Sequence, residues 1–150
     1  MRGYLLLATL FSSMLISHYA FAECLIAMNF RGATLANGEN FQVVDDAISG
    51  TLTTINIDGA KTTVSPGDLE CSALDTYTAL CAGVFGDHGK TIELYAVDES
   101  LQKVVFVQTR TNMPDIMRLL SGGKAMVGDL AGHCDQREAI DIPQDPEAGQ

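Results

Sequence analysis

The chain predicts an α+β domain. Its expected form is an antiparallel sheet of two hairpins, with one main amphipathic helix at about 66–84 packed on a face and two disulfides bracing it. Three observations support this. Two β-branched runs, Thr51–Ile57 and Ala60–Val64, flank Asp58-Gly59, a pair that suits a tight type I′ turn because both central residues need positive φ. A second pair of runs, Thr91–Val97 and Lys103–Arg110, flanks the polar segment 98–102. Between these hairpins Leu69, Ala73, Tyr77, Leu80 and Val84 recur at three- and four-residue steps, a helical period.

At the N-terminus, Met1-Arg2-Gly3 is followed by an apolar run, Tyr4 to Ile16, and then by Ala20-Phe21-Ala22. This is the layout of a secretory signal peptide, with cleavage expected after Ala22. A retained anchor would need about 20 consecutive apolar residues, but Ser12, Ser13 and His18 interrupt the stretch. Glu23 ahead of Cys24 argues against a lipid-modified cysteine. The expected organisation is a signal at 1–22, a single domain at 23–138 and a flexible acidic tail at 139–150. The tail expectation rests on Pro143, Pro146 and several acids.

Removing 22 of the 150 residues leaves 128, enough for one domain with its own core. Arg2 is the only charged residue lost, so the net charge moves from −10 to −11. Such a chain repels nucleic acid and anionic head groups. Neither partner is expected, nor is stable membrane insertion of the processed chain. A basic exported protein is the partner that the charge suits, although the same charge also serves solubility.

Leu25–Phe30 reads as a buried strand, and residues 41–44 as another short one. In the helical segment, Ser65-Pro66-Gly67-Asp68 has the composition of a helix start. Ser72, Asp75, Thr76 and Ala79 occupy the arc opposite the apolar one. In the second hairpin Ile92, Leu94 and Ala96 fall on one side of a strand, Glu93 and Tyr95 on the other. Val104 to Val107 is apolar on both sides, as in a central strand. Residues 114–120 suggest a short helix ending at Gly122-Gly123, and 125–127 a last strand.

Cys24, Cys71, Cys81 and Cys134 all follow the cleavage site, and an even number in an exported domain predicts two disulfides. Zinc is disfavoured because no Cys-x-x-Cys occurs. A helix over 66–84 would hold Cys71 and Cys81 about 15 Å apart, beyond the roughly 7 Å that a disulfide tolerates between Cα atoms. The helix and a Cys71–Cys81 bond therefore exclude each other. Preferring the helix predicts bonds from Cys71 and Cys81 to Cys24 and Cys134; a short Cys71–Cys81 loop is the alternative.

No catalytic set, cofactor site or metal site is expected. His88 lies in a Gly-rich turn, and His133 adjoins a cysteine committed to a disulfide. No nucleophile elbow, calcium loop or phosphate loop is present; Ser121-Gly122-Gly123-Lys124 lacks the required spacing. Met113, Met117 and Met126 read as core filling. The expected function is that of an exported small acidic protein that binds a protein partner, with inhibition of a cationic enzyme such as a cell-wall hydrolase as its form. Asp45, Asp46, Asp98 and Glu99 are the candidate acidic binding patch. The alternatives are a small exported carboxylate-dependent hydrolase and a ligand-binding or structural envelope protein.

Overall fold

Antiparallel pairing dominates the described residues. The computed structural model describes residues 22–135. The strands are β1 (Glu23–Ala36), β2 (Val43–Ile48), β3 (Thr53–Ile57), β4 (Thr63–Ser65), β5 (Glu70–Asp75), β6 (Thr78–Phe85), β7 (Gly89–Asp98), β8 (Lys103–Thr111) and β9 (Gly122–His133). They form one sheet in the order β4-β3-β1-β9-β8-β7-β6-β5, with β2 also paired to β1. The sheet curls into a near-closed barrel. Its seam lies between β4 and β5, where the 3-10 turn Gly59–Lys61 packs on β5.

Among the described residues no helix packs on a face; the segment expected as helix 66–84 is the β5–β6 hairpin. Cys71 and Cys81 are register partners with Cα atoms 4.0 Å apart, and they are bonded to each other. Cys24 is bonded to Cys134. The exclusion between helix and short disulfide holds, but it resolves in favour of the disulfide. The cause lies in the inward residues. Cys71, Ala73, Ala79 and Cys81 point into the core, and they are small enough that their period of two is faint in the sequence. The larger Leu74 and Val84 are exposed, so the spacing that imitates a helix arc combines both faces of two strands. The 3-10 turn Asp115–Leu120 stands where the short second helix was expected.

Both predicted hairpins form. The first has a longer turn than Asp-Gly alone implies. Its last register pair is Asn56 with Thr63, and the Thr62 hydroxyl closes the turn, donating to Gly59 O and accepting from Asp58 N–H. In the second hairpin the expected alternation holds. Thr91 and Tyr95 are buried, whereas Ile92 is 47% exposed.

The apolar core fills one half of the barrel with Leu25, Ala27, Phe30, Ile55, Ile57, Val104, Phe106, Met126 and Leu130. Met113 is also buried. Phe106 stacks edge-on against Phe30 at 5.9 Å and lies tilted on Tyr95 at 4.9 Å between ring centroids. A bulge in β1 organises this half. Asn29 has φ 55°, and the β1–β9 register shifts between Met28 and Arg31. The extra residue changes parity, so Leu25 and Ala27 point inward before it and Phe30 after it. It also separates the stretch of β1 paired with β3 from the stretch paired with β2. Gly32 lies just beyond, where a Cβ would meet Ala125 O and stand 2.7 Å from the Met126 Cα. Only glycine permits so close a β1–β9 approach.

Candidate functional site

Two surfaces stand out: the outside of the sheet over β6–β1, and a cleft at the end of the barrel away from the apolar core. On the outside, cross-strand register aligns Leu80, Leu94, Val107, Ala125 and Ala33 in one row. Neighbouring rows carry Ala96, Val105 and Val127, and Ile92 and Leu35. Val105, Val107, Val127, Ile92 and Leu35 are each more than a third exposed. Five strands at about 4.8 Å and three rows at about 6.7 Å span roughly 19 by 13 Å, within which Thr78, Arg31 and Thr109 interrupt the two flanking rows. Val105 and Val107 explain why β8 reads as apolar on both sides: the outer side is bare.

Exposed acids stand at both ends of this strip. Asp87 is in the β6–β7 turn and Asp115 in the β8–β9 connection, while Asp75 and Asp98 lie at the opposite end. Lys103 is neutralised by Asp129 at 2.6 Å, and the Asp129 carboxyl is held below the usual range by hydrogen bonds from Lys103 and Asn29. Asp98 is lowered by the Ser100 hydroxyl and the Leu101 N–H. Exposed cations on this face are Lys90 and Arg31.

The four predicted binding acids do not form one patch. Asp45 pairs in register with Ala33 on β1, and Asp98 with Lys103 on β8. The two positions are about 13 Å apart along the strands and about 19 Å across them, beyond the Debye length at physiological salt. Asp45 is exposed, whereas Asp46 is half-buried and its carboxylate accepts a 2.6 Å ion pair from Lys124. Glu99 accepts a hydrogen bond from the Tyr77 hydroxyl, which raises the Tyr77 pKa above its ordinary value. His88 is exposed in its turn, and His133 lies 3.7 Å from Glu23. Among the described residues, no three His, Cys, Asp or Glu side chains are grouped to hold a metal. The expected signal at 1–22 and the acidic tail from 139 lie outside the described residues, apart from Ala22.

The cleft was not anticipated from the sequence. Inward residues of β7, β8 and β9 form two polar tiers over the aromatic layer. Thr91 is opposite Arg110, and Glu93 is opposite Gln108, which is opposite Lys124. Glu93 accepts from Gln108 Nε2 at 2.6 Å through Oε1, and from the Tyr95 hydroxyl at 2.8 Å through Oε2. Burial, then the Glu93 charge and hydrogen bond, push the Tyr95 pKa well above its ordinary value. The cleft is open to solvent on one side and holds about 340 Å³; Ile48, Pro66, Leu69, Phe85 and Phe106 supply apolar walls. Thr91 is 2% exposed, yet its Oγ1 has no hydrogen-bond partner, and neither has the buried Nε of Arg110. The signal that could have revealed this cleft is polar alternation: Thr91, Glu93, Gln108 and Arg110 occupy inward positions of β7 and β8 while Ile92, Leu94, Val105 and Val107 alternate with them on the outside.

No known family model, curated protein or solved structure matches the chain.

Proposed function

We propose that this is an exported binding protein that docks a cationic partner protein on the outer face of β6–β1. The observation that carries the reading is the apolar strip, charge-free along its central row and ended by exposed acids. Apolar residues at the centre with polar residues around them match the anatomy of protein interfaces. The acids favour a positively charged partner and steer its approach. They oppose a second copy of this chain, whose rim carries the same sign. At about 13 Å, the strip's apolar height is roughly half the apolar band of a membrane-spanning barrel. The two disulfides are consistent with an extracellular or periplasmic location, and cleavage after Ala22 completes this proposal.

Binding of the processed chain to purified cationic cell-wall hydrolases, measured at low and at high salt, tests the reading. Val105→Asp and Val107→Asp place charges on the strip without touching the core. Each is expected to weaken binding about tenfold or more at an unchanged melting temperature. Wild-type affinity in both variants, or no binding across the panel at low salt, overturns the proposal.

A further inference from the structure

We propose that the cleft is a second, independent site that binds a zwitterionic α-amino acid with an apolar side chain. The inference begins from what the cleft leaves unsatisfied. Buried polar atoms in folded proteins are nearly always hydrogen-bonded, yet Thr91 Oγ1 and Arg110 Nε, on register partners in one wall, have no partner. Arg110 takes part in no ion pair among the described residues. A guanidinium beside a hydroxyl is a fitting receptor for a carboxylate.

Glu93 lies one tier deeper on the same inner face. Its carboxylate is held by two neutral donors, Gln108 and Tyr95, and no cation pairs with it among the described residues. Lys124, the nearby candidate, is occupied by Asp46 at 2.6 Å. The cleft therefore presents one unpaired cation and one unpaired anion, on residues about 7 Å apart along their strands. One small molecule bearing both a carboxylate and an ammonium answers both groups at once, each through charge-assisted hydrogen bonds of about 2.8 Å. A simple dianion would be repelled by Glu93, and a simple amine would leave Arg110 unanswered. Ile48, Leu69, Phe85 and Phe106 give the side chain an apolar wall. The volume of about 340 Å³ is at the small end for ligand sites.

The test is a titration of the processed, oxidised chain with L-leucine, 4-methylpentanoate (which lacks the ammonium) and isoamylamine (which lacks the carboxylate), followed by amide chemical shifts. Saturable shifts centred on Thr91, Gln108 and Arg110 are expected with L-leucine, with binding about tenfold or more weaker for the two analogues. Arg110→Gln is expected to lose binding by a similar factor. Glu93→Gln should abolish the preference for L-leucine over 4-methylpentanoate. Lys90→Gln, on the outer face, should leave the affinity unchanged and serves as a folded control. The inference is overturned if L-leucine, L-valine and L-phenylalanine all fail to give saturable shifts at about 10 mM, if the analogues bind as well as L-leucine, or if a folded Arg110→Gln binds undiminished.

Discussion

The Tyr95 hydroxyl donates to Glu93 Oε2 at 2.8 Å, from two residues along the same strand and the same inner face of the barrel. Burial and the adjacent carboxylate both oppose loss of the phenolic proton. Because the pKa in the folded state is raised, the associated stability is fully present below the unfolded value of about 10 and is lost as the pH climbs towards the folded value. Alkaline unfolding should therefore coincide with Tyr95 ionisation. Melting temperatures recorded against pH should fall at the alkaline end for the wild type and less steeply for Tyr95→Phe. Equal slopes would show that Tyr95 does not control the transition.

Acid acts through other groups. The Asp98 and Asp129 carboxyls are both lowered, the first mainly by Ser100 and the second mainly by Lys103. A lowered folded pKa confers stability that is present above the unfolded value of about 3.9 and lost as the pH falls through the folded value. Asp129→Asn should flatten the acid limb of the stability profile slightly and lower neutral stability by the same small amount, as befits an exposed pair. Denaturant titrations across the acid range read this directly.

The two disulfides should not contribute equally. Cys24–Cys134 closes 110 residues of chain and Cys71–Cys81 closes 10. On the chain-entropy account the long loop is worth about 4.7 kcal/mol and the short one about 2.7 kcal/mol. Paired alanine replacements compared by denaturant unfolding should rank Cys24→Ala/Cys134→Ala as the more damaging by about 2 kcal/mol.

Gly32→Ala should cost about 2 kcal/mol or more, because its Cβ meets backbone atoms of β9 that cannot move aside. Loss of amide protection concentrated at β1 and β9 would locate the damage. Wild-type stability would mean that the strands separate without penalty.

Local turn chemistry and β-branched runs were enough to identify both hairpins, since Asp58-Gly59 and residues 98–102 act at short range. The helix expectation failed because small inward residues, Ala73, Ala79 and Cys81, leave the larger Leu74, Tyr77 and Val84 to dominate the pattern. The cleft was not legible because alternation alone does not say which side of a strand faces inward: Thr91 and Glu93 on β7 and Gln108 on β8 are inside, next to the buried Val104 and Phe106, while Ile92, Val105 and Val107 are outside. Asp46 shows the limit for charges. Nothing in the Asp45-Asp46 doublet reveals that one carboxylate meets a solvated surface and the other meets Lys124 across β1. That difference arises only when β2, β1 and β9 are in register.

Cys24 and Cys134 bring the first strand and the end of the last one to the same corner, with Cα atoms 5.4 Å apart. The fold is thereby closed into a covalent ring. Circular permutants opened at the Asp87-His88 turn, with a short linker joining residue 135 to residue 23, should accordingly fold.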